Sequence, residues 1–506
     1  MALTKFEKQE KQIGKKLYDY QHGAIDKIFE KISDNPDNYN LLYQLPTGGG
    51  KTVIFSEIAR RYIETTGKKV LILTHRIELS KQTSHMLFEF EVENKIIDSN
   101  VKEVSDDDNL PCYVAMVETL NNRIKDEKVD IHNIGLVIVD EAHYNSFRKL
   151  FKYFETRFIL GVTATPISSN ISLPMYEIYN DLIVGENIIS LIQKGFLAEA
   201  TTIGFNVNLT SLKIGINGDY TVKSSEELYV KNEMQTKLLQ AYEQEAKNTK
   251  TLIFNNGINT SRHVYETFLL AGYPVRYIDN TNSKEERREI LSWFKNTTDA
   301  VLTSVGILTT GFDEPSIETI IINRATRSLA LYFQMIGRGS RVLGEKKTFK
   351  VLDLGNNVSR FGLWTDDINW HHIFKNPNLY LENLMSDDEI ESRFTYEMPS
   401  AIREKFSRSE DITFDVKKEY ELAKTAGVKT KIVLQKSIEQ HAKMCAENSE
   451  DVFDAHILSR DLNDDIAFRI KQYSYCILKS SKNYIKWLEE DYKRQLRVKI
   501  SQQFTL

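Results

Sequence analysis

The chain has 506 residues, of which 41% are hydrophobic and 27% are charged, and its net charge is −5. These values are ordinary for globular proteins, and a chain of this length is expected to form two or three domains. Three scattered cysteines exclude a four-cysteine zinc site and a disulfide framework. No apolar run reaches the roughly 18 residues of a membrane-spanning helix. We therefore expect a cytoplasmic chain with no zinc and no membrane association, in which any surface for a polyanion is a local patch.

The first chemical motif lies between a predicted strand, residues 41–45, and a predicted helix, residues 53–58. It consists of Pro46, Thr47, Gly48, Gly49, Gly50, Lys51 and Thr52. Glycines in such a loop let backbone N–H groups turn toward phosphate oxygens, and the helix N-terminus attracts anions. We predict a phosphate-binding loop in which Lys51 meets the β- and γ-phosphates and Thr52 meets magnesium. Leu45 stands where the strict signature has glycine, so the segment alone is also compatible with a turn that carries a solvated lysine.

A second motif, Asp140 to His143, follows the apolar, β-branched run 134–139. That run predicts a buried parallel strand with Asp140 at its tip. A carboxylate there can hold hydrated magnesium beside phosphates, and Glu141 can accept a proton from an attacking water. Two acids after a strand are often only a solvated loop. The joint occurrence of both motifs in this order nevertheless favours a magnesium nucleotide site.

Strand-like runs alternate with helical segments from about residue 17 to residue 358, which predicts parallel sheets covered by helices. The other predicted strands are 70–73, 112–116, 136–139, 158–162, 251–254, 300–303, 319–322 and 349–352. The pattern weakens after residue 173, and residues 212–220 have the composition of a loop or small hairpin. We predict a first α/β lobe over 1–205, a linker or hairpin region over 206–246, a second α/β lobe over 247–365 and a helical domain over 366–506.

The second lobe carries two arginines, Arg338 and Arg341, whose spacing places them on one face of a predicted helix. Solvated arginines on a helix are common. These two, however, follow residues 309–315, which come directly after a predicted strand. Arginines that a second lobe brings to a γ-phosphate stabilise the charge that develops on its oxygens. Nucleotide would then favour a closed cleft and hydrolysis would release it.

With these motifs in view, residues 17–360 resemble the superfamily 2 helicases and translocases, in the DEAH-containing branch of RadD-like and restriction-helicase-like proteins. The resemblance rests on an ordered series: Gln21, the phosphate loop, Thr74 to Leu79, Val117 to Leu120, Asp140 to His143, Gly161 to Pro166, Phe254, Thr310 to Asp313 and Gln334 to Arg341. It implies two tandem RecA-like parallel-sheet α/β lobes. Because the strand pattern stops after about residue 365 and charged helical segments follow, we predict a mostly α-helical C-terminal domain after them.

The resemblance also implies residue roles. ATP binding falls to the phosphate loop together with Tyr18, Gln21, Gly311 and Asp313. Catalysis falls to Lys51, Asp140, Glu141, Gln334, Arg338 and Arg341, with Thr52 and Asp140 on Mg²⁺ through water. Coupling to the nucleic-acid face falls to His143, Thr163 and Thr165. Contact with the sugar–phosphate backbone falls to Arg76, Thr119 and Thr303.

Two features depart from the family pattern. Tyr18 stands where members often carry arginine, although its ring could stack on a base. The cysteine-rich zinc region of RadD-like proteins is absent from the sequence. Residues 353–362 resemble the closing element of the branch, which is either a structural turn or a coupling element.

The C-terminal sequence carries weaker signals. Basic and aromatic residues interleave over 469–499, which is typical either of a strand-binding surface or of an amphipathic helix with its rings inward. His441 begins an incomplete phosphodiesterase-like element without its aspartate, so we do not predict a nuclease. His371 and His372 have no compatible metal-ligand partners nearby in the sequence and are expected to pack or to face solvent.

The predicted function is an ATP-dependent nucleic-acid helicase or translocase with ATP and Mg²⁺ as cofactors. DNA is favoured over RNA by the resemblance alone, because residues directed at the backbone do not identify the sugar. A translocase needs only the two lobes, whereas an unwinding helicase needs a wedge that the sequence does not reveal. The alternative is a nucleotide-switched clamp or remodeller in a repair or defence complex, without unwinding.

Overall fold

A computed structural model describes residues 17–35, 37–103, 110–129, 132–154, 157–170, 172–309, 311–391, 396, 398–477 and 482–504. The chain separates into two compact units, Met1–Met385 and Ser386–Leu506. Among the described residues, none of the helices combines the length and hydropathy that a bilayer crossing requires.

The first sheet of the larger unit is parallel, and its described strands number seven. They are β1 (Tyr39–Gln44), β2 (Lys69–Thr74), β3 (Asn94–Ile97), β4 (Cys112–Met116), β5 (Ile134–Asp140), β6 (Phe158–Thr163) and β7 (Asp181–Val184), in the order β3-β4-β2-β5-β6-β1-β7. The helices of this part are α1 (Asp19–Asp34), α2 (Lys51–Thr66), α3 (Ile77–Glu89), α4 (Val117–Lys125) and α5 (Arg148–Phe151). The next helix in the chain, α6 (Ile188–Gln193), buries Ile188 and Leu191 in the core of the second lobe.

Because successive side chains of a strand point to opposite faces, this sheet has a hydrophobic core on both of its faces. On β2, Ile72 joins the cluster that contains Phe55 and Ile58 of α2. Its neighbour Leu71 joins the opposite cluster, with Leu150. All seven residues of β5 are buried, as the continuous apolar run predicted.

The second sheet is also parallel, and six strands are described in it. They are β8 (Glu199–Gly204), β9 (Thr251–Asn255), β10 (Val275–Ile278), β11 (Val301–Val305), β12 (Thr319–Asn323) and β13 (Thr348–Asp353), in the order β10-β11-β9-β12-β13-β8. The remaining helices of the larger unit are α7 (Val222–Tyr229), α8 (Asn232–Glu245), α9 (Ile258–Leu270), α10 (Lys284–Asn296), α11 (Leu329–Ile336), α12 (Asn357–Phe361), α13 (Trp370–Lys375) and α14 (Pro377–Glu382). The two α/β lobes of the fold prediction are confirmed.

Three predicted boundaries differ from the structure. The boundary at residue 205 assigned residues 199–204 to the first lobe, but β8 pairs with β13 in the second sheet. The region 206–246 is not a linker, because Tyr229 and Leu238 of α7 and α8 are buried in a core cluster with Leu352 of β13. Within that region, Ile214 and Tyr220 form an antiparallel bridge, as the hairpin prediction expected. The boundary at residue 365 is also too early, since α13 packs against β7 and Phe374 is buried in the core of the first lobe.

All regular secondary structure described in the smaller unit is helical. Its helices are α15 (Asp387–Glu391), α16 (Ser400–Lys405), α17 (Val416–Thr425), α18 (Ile432–Glu447), α19 (Val452–Leu458), α20 (Asn463–Cys476) and α21 (Lys482–Gln503). Their shared core includes Val433, Ile438, Ile466, Leu488 and Leu496. The predicted helical C-terminal domain is therefore confirmed, although it begins later in the chain than residue 366.

A buried polar network crosses this helical core. His441 Nε2 lies 2.9 Å from Asp465 Oδ2, and Tyr492 OH lies 2.9 Å from His441 Nδ1. Arg469 donates to both carboxylate oxygens of Asp465, at 2.9 and 2.8 Å. Because the His441 side chain is completely buried in this network, it serves packing rather than hydrolysis.

Of the basic and aromatic residues that interleave over 469–499, some are buried in the core and others lie at the surface. Tyr473 and Tyr492 are buried, as an amphipathic helix requires. Trp487 is 50% exposed, and its ring lies 5.9 Å from that of Tyr484. Lys479, another member of the predicted set, lies outside the described residues.

Candidate nucleotide site between the two lobes

The phosphate loop joins β1 to α2. Gly48 and Gly50 have φ values of +86° and +85°, in the left-handed region that glycine adopts without strain. A Cβ at Gly50 would lie 2.6 Å from Gln21 Nε2, so this position needs glycine for space as well. Gly50 caps α2, and Lys51 is the first residue of that helix. The strand, loop and helix that the sequence predicted are therefore present, with a helix N-terminus open to an anion.

The N-terminal end of α1 lies against the same loop. Tyr18 N donates a hydrogen bond to Gln21 Oε1 at 2.9 Å, which holds the buried Gln21 amide beside Gly50. Tyr20 OH donates to Gly49 O at 2.8 Å. The Tyr18 ring is 49% exposed and lies 4.1 Å from the Phe196 ring. Gln21 and an aromatic surface thus meet beside the phosphate loop, as a site for a base requires.

The other residues of the phosphate loop differ in their exposure to solvent. Pro46, Thr47 and Gly49 are buried, and Thr52 is partly exposed on the first turn of α2. Thr47 Oγ1 is buried and has no hydrogen-bond partner in the described parts of the chain. An unpaired buried hydroxyl is costly unless a ligand or water satisfies it.

Asp140 and Glu141 lie at the carboxyl end of β5 and are 5% and 6% exposed. Glu141 N donates to Asp140 Oδ1 at 3.0 Å. Glu141 has a φ of +53°, a left-handed conformation that is uncommon outside glycine and concentrates at functional sites. This turn places two carboxylates side by side at the end of the sheet.

Burial raises the pKa of Asp140 to about 7, with a further contribution from the charge of Glu141. Burial also acts to raise the pKa of Glu141, but Lys51 leads a set of nearby cations that outweigh it, so this pKa lies below its ordinary value. The pKa of Lys51 is lowered by burial, against the attraction of both carboxylates. At neutral pH Glu141 is therefore ionised. Asp140 titrates in this pH range, and a bound cation would keep its carboxylate ionised.

Arg338 and Arg341 approach this site from the second lobe. The prediction that they share a helix face is wrong, because α11 ends at Ile336 and both arginines follow it in a turn and a bridge. They still converge, since Arg338 Nη1 donates to Phe312 O at 2.7 Å and Arg341 Nε lies 2.5 Å from Asp313 Oδ1. Gly311, beside this loop, has a φ of +73°. Thr310 lies outside the described residues.

The guanidinium of Arg338 is 4% exposed. Burial lowers its pKa to about 9, and the charge of Arg341 adds to this effect. Arg338 Nε is buried without a hydrogen-bond acceptor among the residues that the structure describes. A cation held in this way favours an anion beside it, because the anion would restore the electrostatic free energy that burial removes.

A hydrogen-bond chain crosses the cleft through His143. Gln334 Nε2 lies 3.3 Å from His143 Nε2, and His143 Nδ1 lies 3.0 Å from Thr163 Oγ1. Thr163 Oγ1 in turn donates to Thr165 O at 3.1 Å. Burial lowers the pKa of His143, so the imidazole is neutral. Because Gln334 Nε2 is a donor and Thr163 Oγ1 gives its proton to Thr165 O, the hydrogen-bond chain assigns the imidazole proton to Nδ1. The three predicted coupling residues are thereby joined to one another and to the second lobe.

The lobes also touch at two glycines. A Cβ at Gly337 would lie 2.6 Å from Thr47 Cβ, and a Cβ at Gly48 would lie 2.8 Å from Leu197 Cδ2. The phosphate loop therefore packs directly against the segment that leads to the arginines.

The residues predicted to hold a sugar–phosphate backbone lie in different environments. Arg76 donates from Nη1 to Ile307 O at 3.0 Å and from Nη2 to Gly306 O at 3.2 Å, across the cleft. Thr119 is partly exposed in the first turn of α4. The structure does not support Thr303 as a contact, because its side chain is completely buried and its hydroxyl bonds Asn255 and Ser261 inside the second lobe.

Sequence reasoning missed three residues of this site. Gln82 Nε2 donates to Gly311 O at 2.7 Å, joining α3 to the second lobe. The rings of His75 and Tyr144 lie against each other at 4.2 Å. His75 lies within the Thr74 to Leu79 segment of the resemblance but was assigned no role, and the sequence signal for Tyr144 was its position after His143.

Each of the two lobes matches a different protein-family model. Residues 14–168 match the family model described as Type III restriction enzyme, res subunit, and residues 230–342 match Helicase conserved C-terminal domain. The chain belongs to superfamily 2 of the helicases, in the restriction-helicase-like branch. Among its relatives is IRC3 of Saccharomyces cerevisiae, provisionally named an ATP-dependent helicase, which is 30% identical over 357 residues. That match covers 67% of this chain and 51% of IRC3, so the chain spans about half the length of this relative.

Two solved structures share the fold. A fragment assigned to an HsdR subunit of a type I restriction enzyme from Vibrio vulnificus YJ016 superposes with a TM-score of 0.54 at 21% identity, covering 69% of this chain and 66% of that one. The Type ISP restriction-modification enzyme LlaBIII, solved bound to DNA, gives a TM-score of 0.52 at 15% identity. It covers 95% of this chain and 40% of LlaBIII. The RecA-like two-lobe architecture is thus shared with these two restriction-enzyme chains.

Proposed function

We propose that this superfamily 2 protein hydrolyses Mg-ATP between its lobes and uses the hydrolysis to move along nucleic acid. One observation carries the proposal. Lys51, Asp140 and Glu141 of the first lobe lie in the same buried electrostatic environment as Arg338 of the second. A cluster of charges supplied by two lobes is what a hydrolytic site that depends on lobe closure needs.

The residues present suit a magnesium nucleotide. The phosphate loop offers backbone N–H groups at the start of α2, and Thr47 Oγ1 and Arg338 Nε are buried without partners in the described chain. Thr52 and Asp140 would hold magnesium, and oxygen donors of this kind are the ones that it prefers. When bound, magnesium neutralises charge on phosphate oxygens.

Each protein group then has a defined task. Lys51 balances phosphate charge, and Glu141, whose pKa lies below its ordinary value, is ionised at neutral pH and able to accept a proton from water. Glu141 Oε2 is buried and, among the described residues, accepts no hydrogen bond that would compete for that proton. Arg338 and Arg341 would stabilise the oxygens on which negative charge increases.

Coupling to the track would run through the cleft contacts. Gln334 of the second lobe bonds His143 beside Glu141, and His143 bonds Thr163 at the end of β6. Opening of the cleft would break the Gln334 bond and remove the arginines together. Nucleotide binding would then shift the equilibrium toward the closed cleft, because each lobe supplies groups that only the closed state brings together.

The track we propose is DNA. Both solved structures that share the fold are named as restriction enzymes, and LlaBIII was solved bound to DNA. Arg76 and Thr119, near the surface of the first lobe, are the proposed contacts to its backbone. Binding there would require Arg76 to exchange the carbonyls of Gly306 and Ile307 for phosphate oxygens.

Two assays on the wild-type protein test the proposal. ATP turnover should rise with one of single-stranded DNA, duplex DNA or forked DNA, and less with single-stranded RNA. Displacement of a third strand from a triplex, alongside separation of a plain duplex, distinguishes translocation from unwinding. Slow turnover with ATP-dependent retention on DNA, and no displacement in either assay, would replace the motor with a nucleotide-switched clamp.

A further inference from the structure

Three rings form a row beside the catalytic turn. The His75 ring lies 4.2 Å from the Tyr144 ring, and the Tyr144 ring lies 4.3 Å from the His143 ring. Both pairs have an interplanar angle of 37°. The row begins one residue after β2 and ends at the imidazole that contacts Gln334 and Thr163.

His75 is held by packing alone. Both of its ring nitrogens are buried and, within the part of the chain that the structure describes, neither has a hydrogen-bond partner. Burial lowers its pKa to about 4, so the ring is neutral near pH 7. A buried imidazole without partners loses free energy relative to an apolar ring of the same shape. Its ring therefore contributes here through its contact with Tyr144.

The far end of the row sets the catalytic carboxylate. His143 Nδ1 lies 3.4 Å from Glu141 Oε2 but makes its hydrogen bond to Thr163, so the Glu141 oxygen is confined by the imidazole without being bonded to it. A shift of the His143 ring would let this carboxylate turn. The near end of the row is fixed by Arg76, which follows His75 and donates to Gly306 and Ile307 of the second lobe.

We infer that His75 is a positioning residue for Glu141, acting through the rings of Tyr144 and His143. The inference rests on the proposed function, because it assigns Glu141 the role of proton acceptor. In this role His75 contacts neither the attacking water nor the nucleotide. Its contribution is steric: the ring fills the space behind Tyr144, and Tyr144 keeps His143 against Glu141. A misplacement of about 1 Å at a reacting group can lower a rate by about a hundredfold.

The test compares His75→Ala with His75→Phe. We expect His75→Ala to lower kcat for ATP by about tenfold or more, with KM unchanged, because only the placement of the base is lost. His75→Phe keeps a flat ring and should stay within about twofold of wild type. His85→Ala, at an exposed position on α3, is the control for loss of an imidazole.

A second arm uses the Glu141→Gln background under single-turnover conditions. Adding His75→Ala to Glu141→Gln should cause no further loss, because the residue that His75 positions is already disabled. Equal losses in the wild-type and Glu141→Gln backgrounds, or a His75→Phe variant as slow as His75→Ala, would overturn the inference. Turnover by the wild type that no polynucleotide stimulates would contradict the proposed motor, yet the comparison of basal kcat values would still decide the role of His75.

Discussion

Gln334 of the second lobe and His143 of the first lobe share a hydrogen bond of 3.3 Å between Nε2 atoms. Both side chains are 3% exposed, so the bond is shielded from water. Since His143 gives its Nδ1 proton to Thr163, its Nε2 atom is free to accept from the Gln334 amide. One imidazole thereby joins the lobe that carries the arginines to the strand end that carries Thr163.

We expect Gln334→Ala and His143→Ala to act non-additively on kcat. Each removes the same bond, so the double variant should lose less than the sum of the single losses, with a coupling free energy of about 0.5–3 kcal/mol. The measurement is a double-mutant cycle on ATP turnover. The control cycle pairs His143→Ala with Arg288→Ala, since Arg288 is exposed on α10. The effects of these two substitutions on kcat should be additive. Additivity in both cycles would remove the cross-cleft role of this bond.

Glu141→Gln should bind ATP with nearly wild-type affinity and lose turnover by about a hundredfold or more, because an amide does not accept the proton from water. Nucleotide affinity is measured by titration with a fluorescent ATP analogue and turnover by phosphate release. Glu266→Gln, which neutralises an exposed acid on α9, should leave both unchanged. Turnover by Glu141→Gln close to that of wild type would remove Glu141 as the base.

Gly337→Ala should separate the phosphate loop from the arginine segment. The added Cβ would lie 2.6 Å from Thr47 Cβ, which is too close for any side-chain contact. We expect at least a tenfold lower kcat, as for a misplaced catalytic group, with unchanged far-ultraviolet circular dichroism. Gly23→Ala is the matched control, since a Cβ there meets nothing within 4 Å and alanine favours the helix. Equal turnover of both variants would contradict the packing of these lobes.

The smaller unit should lose stability as the pH falls below about 6.5. Burial lowers the pKa of His441 to about 4 from an ordinary 6.5, so unfolding takes up a proton between these values. The contribution of His441 to the free energy of unfolding is fully present above pH 6.5. It declines toward pH 4 by at most about 1.4 kcal/mol per pH unit. The pKa of Asp465 is below its ordinary 3.8, because hydrogen bonds from His441 and the charge of Arg469 outweigh burial, so its own contribution is lost only at lower pH.

Native-state hydrogen exchange of α18 and α21 in the full chain measures this dependence, after correction for intrinsic exchange. His441→Gln should flatten the slope between pH 6.5 and 4, whereas His456→Gln in α19 should keep it. An unchanged slope in His441→Gln would assign the pH dependence to another group.

The sequence predicted the parts of this site whose chemistry depends on local backbone geometry. Gly48 and Gly50 mark a turn between a strand and a helix, and Asp140 ends an unbroken apolar run. The strand β8 was missed because its residues, such as Glu199, Thr201 and Thr202, include few apolar side chains for a pattern to reveal. Its place in the second sheet depends on pairing with β13, which local sequence does not encode.

Side-chain environments were less predictable than positions. Family resemblance assigned Thr303 to a nucleic-acid contact, but Asn255 and Ser261 bury its hydroxyl inside the lobe. The contact between His75 and Tyr144 joins two loops whose residues carry no shared pattern in the sequence. Such contacts arise only when the strands that carry the loops are placed in one sheet.

In the proposed motor, the second lobe completes an ATP site on the first. The most direct measurement is kcat for ATP, with and without single-stranded DNA, for wild type, Lys51→Ala, Arg338→Ala and the surface control Arg288→Ala. We predict that wild type and Arg288→Ala are stimulated, that Lys51→Ala no longer binds ATP, and that Arg338→Ala binds ATP but turns over about a thousandfold more slowly. Wild-type kcat in Arg338→Ala would contradict this assignment, because the buried arginine of the second lobe would then contribute nothing to the chemistry.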